Sequence, residues 1–512
     1  MTPRTSGPFT FRFKLIGGAA LIGLAHLFFY GEEPGWTLGG FALGWTIVLL
    51  LTRPDVRASR SARTAIAAAT LFGLMLVDDP GPLKVLMFLI AIGMATLLPL
   101  RRFDDAIHAA GPLLIHGILS LAAPIRDAAR LSRIERGRSG PKLVAAAAML
   151  VVPVAGSALF LALFAQANPL IDDTFAAIRF PDLWDILCRL LFSVPFVLLT
   201  WSSLRPRGTL LAPGMAGRDP SPPLPPLRRA TLILSLVAFN LIFAVQNGLD
   251  LAFLWSGAPL PQGVTLADYA HRGAYPLIVT ALLAGGFVLY AAGSEDTPVL
   301  RSLVTLWIAQ NVLLVASSIL RTIDYIAVYS LTPWRIAALA WMALVAVGLV
   351  LILWRMWRGL SARWLVNANA LAAGVVLTAG CASDLGAISA SWNVAHARTA
   401  RDIDLCYLER TGPAALLPLI ALERRAAGPI LRERTGYVIG QVATDLIREQ
   451  ADWHSWTWRG ARRLAAARGR IGSRTERRYE RQCGGAPFPP PPSPSLPTPT
   501  PTPTPVDAGR RP

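Results

Sequence analysis

The chain has 512 residues, 53% of them hydrophobic and only 16% charged, with a mean hydropathy of +0.47. That is far more apolar surface than a soluble fold of this size buries, so a lipid-embedded helical bundle is its natural setting. The formal net charge is +18, but the basic residues lie between apolar runs and in the tail. They form no compact basic domain with stacking aromatics, which argues against a nucleic-acid partner and for topology signals in lipid.

Apolar runs that approach a ~30 Å hydrocarbon core occur at roughly 15–30, 36–52, 64–78, 82–99, 143–165, 184–202, 230–253, 275–293, 299–320, 335–355 and 364–382, about eleven crossings. The first follows Arg4, Arg12 and Lys14 as a signal peptide would. It ends in Phe28-Phe29-Tyr30-Gly31 without a small-x-small cleavage site and is therefore read as a retained helix. Arg53, Arg57, Arg60 and Arg63 fill the second connection, whereas Glu32-Glu33 and Asp78-Asp79 lie in the loops on the other side. The basic excess recurs at Arg101–Lys142, Arg205–Arg229 and Arg355–Arg363, on alternate loops. By the positive-inside rule the N-terminus is cytoplasmic, and eleven crossings place the C-terminal region in the periplasm of a bacterial inner membrane.

The expected organisation is all-α. Residues 1–142 hold helices one to four and a basic segment, 143–382 the core with helices five to eleven, 383–482 an extramembrane helical region, and 483–512 a disordered Pro/Thr-rich tail. Within this frame Gly111–Leu121 is too short to span and reads as an interfacial helix, and the Pro-rich stretch 203–229 as a cytoplasmic linker. Beyond residue 383, helices are expected near 386–409, 413–427 and 437–482. Residues 453–474 mix Trp453, Trp456 and Trp458 with Arg459, Arg462, Arg463, Arg468, Arg470 and Arg474, a composition that suits either an anionic lipid surface or a solvated basic helix.

The four cysteines and six histidines show no metal-ligand spacing, so neither a metal nor a cofactor is expected. A disulfide between Cys406 and Cys483 requires a periplasmic tail, and Cys188 and Cys381 should stay reduced in the bundle. No nucleophile elbow, zinc-protease helix or Walker loop is present.

Polar groups inside apolar runs are the informative ones, because a charge near the bilayer centre costs on the order of 2.5–3.5 kcal/mol. Asn240, Asn247 and Asp250 share one helical face, and Gln246 lies among them. That face is either an interhelical seam or part of a ligand or ion site. Gln310-Asn311 lie in the ninth run, Arg321 and Asp324 are spaced to pair with each other, and Asp185 is the nearest acid for Arg189.

From the seventh run onward the motif order resembles that of the bacterial multi-pass membrane families known as domain of unknown function 4173 and its relative 4153. The resemblance rests on Asn247-Gly-Leu-Asp250, Leu254-Trp255, Leu260-Pro261 and Asp268-Tyr269-Ala-His-Arg272-Gly273, then Arg321, Tyr325, Tyr329-Ser-Leu-Thr332 and Arg335. Ser330 stands where the families commonly carry glycine. Asn393-Val394-Ala395, Leu405-Cys-Tyr407-Leu408 and Gly412-Pro413 resemble the post-membrane segment. The likeness spans about residues 145–425 and implies architecture rather than mechanism.

Topology brings Asn247, Asp250, Asp268, Tyr269, Arg272, Arg321, Asp324, Tyr325, Tyr329 and Arg335 near one membrane surface. Two functions remain open: a non-enzymatic envelope protein presenting its tail, or a transporter or membrane enzyme holding an anionic or lipid-linked substrate in a polar cavity.

Overall fold

The computed structural model describes residues 9–101, 103–127, 183–204, 229–256, 297–397, 402–426, 428–471 and 481–487. Among these the chain is helical, and its only β-pairing is an isolated bridge between Gln482 and Ala486. A first group comprises α1 (Phe9–Phe29), α2 (Trp36–Thr52), the short α3 (Pro54–Ala58), α4 (Arg60–Asp78) and α5 (Pro82–Leu97). Pro54 and Pro82 start their helices where a missing N–H costs nothing, and the Ser59 hydroxyl caps α4 by accepting from Ala62 N at 3.3 Å. At Gly39 a Cβ would come within 2.4 Å of Val77 N on α4, so only glycine lets α2 and α4 approach this closely.

Helix α6 (Ala106–Ser120) has 15 residues and contains Pro112, in keeping with a short interfacial element. It is followed by α7 (Leu183–Leu204) and by α8 (Arg229–Asp250), which continues through a π-helical turn, Leu251–Trp255. With α9 (Pro298–Tyr329) and α10 (Pro333–Arg358), α8 builds a second core around Leu236, Trp307, Ile308 and Met342, and α11 (Ala362–Ala382) follows, its Cys381 buried in the core of the first group. Leu190, Leu234 and Leu371 point outward, more than half exposed, as lipid-facing side chains do.

Among the described residues six helices are long and apolar enough to cross a membrane: α4, α7, α8 with its π-turn, α9, α10 and α11. Helices α1, α2, α5 and α6 are apolar but shorter by that measure. The runs expected at 143–165 and 275–293, most of the linker 203–229 and the tail beyond 487 lie outside the described residues. Among the described residues, six candidate crossings therefore stand on length and composition.

The C-terminal helices α12 (Leu385–His396), α13 (Leu405–Arg410), α14 (Leu416–Arg425), α15 (Pro429–Ala451) and α16 (Trp458–Ile471) enclose a separate core of Leu408, Leu416, Leu419, Val438, Ile439 and Leu446. The helix expected over 437–482 is two helices. Asp452 accepts from His454 N at 3.2 Å and Ser455 N at 3.3 Å, and Ser455 Oγ donates to Glu449 O at 2.8 Å. These local bonds outcompete the helical ladder and turn the chain. The helix expected over 386–409 likewise stops at His396 and restarts at Leu405.

Cys406 and Cys483 form a disulfide with Cα atoms 5.0 Å apart, and Cys188 and Cys381 are free thiols. Gly484 N donates to Glu409 Oε2 at 2.6 Å, and Arg434 Nε donates to Gly484 O at 2.9 Å. Residues 481–487 thus belong to the C-terminal core rather than to the tail expected from 483. The whole unit sits on the bundle end that carries Glu32, Glu33, Asp78 and Asp79, with Gly35 N on His454 O at 2.8 Å and Trp36 N on Trp456 O at 2.7 Å.

Candidate functional site

Helices α8 and α9 run side by side in the same direction, joined by side-chain amides. Asn240 Nδ2 donates to Leu303 O at 3.1 Å, Gln310 Nε2 to Asn240 Oδ1 at 2.9 Å, and Asn247 Nδ2 to Gln310 O at 3.1 Å. About two turns further on, Trp255 Nε1 donates to Ser317 Oγ at 3.1 Å. The shared face of Asn240, Asn247 and Asp250 is therefore an interhelical seam. Asp250 and Arg321, 1% and 7% exposed, close it with an ion pair, and Gln246 Nε2 donates to Asp250 Oδ1 at 3.1 Å. This corrects the pairing expected between Arg321 and Asp324: a buried guanidinium takes the buried acid across the seam, while Asp324 is only half-buried. Asn247 Oδ1, Asp250 Oδ2 and Asn311 Oδ1 are buried without a hydrogen-bond partner among the described residues.

The other residues of the expected cluster fall into a different set of contacts. Tyr325 and Tyr329 pack ring against ring at 4.7 Å, and the Arg335 guanidinium lies 4.5 Å from the Tyr325 ring centroid. Arg335 also donates to Tyr329 O at 2.6 Å and to Ser330 O, closing the turn between α9 and α10. Asn393 of α12 grips that turn reciprocally, accepting from Leu331 N at 2.6 Å and donating to Leu331 O at 2.9 Å. Ser330 has φ of 70°, where only glycine is free of a Cβ penalty. Asp268, Tyr269 and Arg272 lie outside the described residues.

A cavity of about 570 Å³ opens elsewhere, between the acidic bundle end and the C-terminal helices. Its charged lining comes from Glu33, Asp79 and Lys84 of the bundle, Asp384 at the start of α12, and Glu449, Arg459 and Arg463 of α15 and α16. Arg459 reaches Asp78 at 2.6 Å and Asp79 at 3.2 Å, Lys84 reaches Asp79 at 3.0 Å, and Arg463 pairs with Asp384. Burial raises the Glu449 pKa above its ordinary value, and the nearby charges of Asp445 and Glu33 push it the same way. Hydrogen bonds from the His454 and Ser455 backbone hold the Asp452 pKa below its ordinary value against a smaller desolvation effect.

Sequence reasoning treated the acidic doublets and the tail arginines separately, as topology and lipid signals. The signal that could have joined them was charge complementarity between Asp78-Asp79 and the basic face of α16. Of the arginines in 453–474, Arg459 and Arg462 pair with Asp78 of the bundle, and Arg463 pairs with Asp384 at the start of α12.

Apolar helices long enough to cross a membrane, a buried polar seam and a docked helical cap together define a helical membrane protein. Residues 64–422 match the family model described as "Domain of unknown function (DUF4153)", and the chain belongs to that family. The match ends within α14, so α15, α16 and the residues closing the disulfide at Cys483 lie beyond it. No curated protein and no solved structure matches the chain.

Proposed function

We propose that the protein is a non-enzymatic envelope protein of the bacterial cytoplasmic membrane, whose bundle holds a disulfide-closed helical domain against its extracytoplasmic face for interaction or regulation. The observation that carries this reading is the clamp of Arg459 on Asp78 and Asp79, which fixes the C-terminal helices to the bundle. The seam between α8 and α9 fits the same reading, since its ionised groups are paired with each other. About eleven crossings with the N-terminus in the cytoplasm agree with the alternation of arginine-rich and acidic loops, and a disulfide suits an oxidising compartment. Trp458, Arg468 and Arg470 are left to meet anionic lipid, and the Pro/Thr-rich tail extends from the domain.

Arg459→Glu tests the reading. The variant should insert in the membrane yet fail to complement a deletion strain, because a domain released from the bundle cannot be presented. Full complementation by a variant whose domain is proteolytically released would overturn it. Reporter fusions at residues 58 and 400 should report opposite sides of the membrane.

The second reading, a transporter or membrane enzyme for an anionic or lipid-linked substrate, is favoured by the 570 Å³ cavity and its three cations, together with the buried acceptor oxygens of the seam. Native mass spectrometry separates the two. A lipid or metabolite that co-purifies with the parent chain and is lost in Lys84→Met favours the second.

A further inference from the structure

Where the bundle meets the C-terminal domain, three side chains distant in sequence converge. Glu32 lies in the loop between α1 and α2, and Asp452 and His454 lie in the turn between α15 and α16. The junction is tightly registered. Beyond the bonds made by Gly35 N and Trp36 N, Trp36 Nε1 donates to Trp453 O at 2.6 Å and Thr37 Oγ1 to His454 O at 3.3 Å. A Cβ on Gly35 would come within 2.3 Å of the Ser455 backbone, so glycine is required for this approach. One ligand atom from each of Glu32, Asp452 and His454 lies within 4.8 Å of the other two.

The His454 ring is oriented by its far nitrogen. Nε2 lies 3.2 Å from the carbonyl oxygen of Leu27, which can only accept, so Nε2 carries the hydrogen. In the neutral ring Nδ1 then presents a lone pair, and it faces Asp452 Oδ1 at 3.3 Å and Glu32 Oε2 at 3.5 Å. Three electron-rich atoms turned toward one another require a positive charge among them. A proton on Nδ1 would draw a carboxylate to the ~2.7–2.9 Å of a charge-assisted bond. Donors about 2.0–2.2 Å from a tetrahedral zinc ion instead sit roughly 3.3–3.5 Å apart. The two distances from Nδ1, 3.3 and 3.5 Å, fall in the second range. An imidazole whose other N–H is held by a backbone carbonyl is also the usual outer arrangement of a metal-bound histidine.

We propose that Glu32, Asp452 and His454 form a binding site for a divalent transition-metal ion, zinc by the chemistry of the donor set, bridging the bundle and the C-terminal domain. Imidazole with two carboxylates suits zinc better than calcium or magnesium, which prefer all-oxygen shells. The histidine side chain is 12% exposed, whereas Glu32 and Asp452 are 43% and 42% exposed. The ion is thus walled on the ring side and open on the other, where water or a ligand completes its shell. Asp452 is fixed for the task by the backbone N–H groups of His454 and Ser455. All three ligands lie outside the family match, Glu32 before it and Asp452 and His454 beyond it. It does not depend on the envelope-protein reading.

The test uses the full chain in detergent, stripped with a chelator and titrated with zinc by calorimetry, with thermal unfolding in parallel. The parent should take one equivalent and melt higher when loaded. Glu32→Gln, an isosteric change at an exposed position that should fold normally, should weaken binding by at least roughly 10- to 100-fold, the scale on which even outer-shell partners act. It should also abolish the zinc-dependent rise in melting temperature. Asp104→Asn, which removes an exposed carboxylate outside the triad, should bind as the parent does. Zinc uptake equal in Glu32→Gln and the parent, or no uptake by the parent, would overturn the proposal. Cobalt gives an independent readout: tetrahedral d–d bands in the parent and none in His454→Gln support the site, and identical spectra refute it.

Discussion

Arg321→Gln isolates the central element of the α8–α9 seam. Asp250 is 1% exposed and its ion-pair partner is Arg321, with Gln246 as a neutral second contact. Removing the guanidinium leaves a buried carboxylate that one amide cannot neutralise, and breaking such a pair costs about 3–5 kcal/mol. Native stabilities are typically about 5–15 kcal/mol, so the variant should lose a large part of its folded yield. The double variant Asp250→Asn with Arg321→Gln leaves two neutral amides in the same space. It should recover most of the loss, with a coupling energy of about 0.5–3 kcal/mol between the sites. The assay is thermal unfolding of the purified chain in detergent, supported by the monodisperse fraction on size exclusion. A single variant within about 1 kcal/mol of the parent, or a double variant no better than the single, would refute the reasoning.

Ser330→Gly should stabilise the chain by up to about 1–3 kcal/mol, because φ of 70° with ψ of 161° is a region only glycine occupies freely; a higher melting temperature checks it, and Ser330→Val should melt lower. Cys483→Ser opens a covalent loop across a sequence separation of 77 and should cost about 2–4 kcal/mol of C-terminal domain stability, read as faster proteolysis of the C-terminal helices. Glu449 has a folded pKa above its ordinary 4.5, so its ionised form opposes folding. That penalty is full above the folded pKa and lifts as pH falls toward the ordinary value. Glu449→Gln should therefore raise the melting temperature at neutral pH and change it little in acid; the reverse order would show that the acid is paired.

The helices were legible because lipid simplifies the code: a run such as Pro333–Arg358 has no other stable form in a bilayer, and its ends carry arginine and proline. The seam was legible in part. The three-and-seven spacing of Asn240, Asn247 and Asp250 put them on one face, but only the approach of α9 selected Asp250 over Asp324 for Arg321. Local propensity erred where side chains bond their own backbone, as at Asp452 and Ser455, since a helical average over 437–482 does not register a capped turn. The motif residues Tyr329, Ser330, Arg335 and Asn393 were recognised as a pattern, yet their part in closing one turn depends on contacts across 62 residues of chain.

Charge carries the last step. The excess of arginine over acid was first a topology signal, with Glu32-Glu33 and Asp78-Asp79 merely marking the loops without it. In the fold those same acids receive the C-terminal domain: Asp78 and Asp79 take Arg459, Asp78 takes Arg462, and Glu32 faces His454. An acidic loop at a membrane surface costs little, and a basic helix beside anionic lipid would drift toward the bilayer if nothing held it. Pairing the two locks α16 in register on the bundle and leaves each of the three cations lining the cavity paired with a carboxylate. Arg459 and Arg462, in a segment whose composition suits either an anionic lipid surface or a solvated basic helix, therefore act as docking residues, and whatever occupies the cavity must compete with Asp79 for Arg459 and with Asp384 for Arg463.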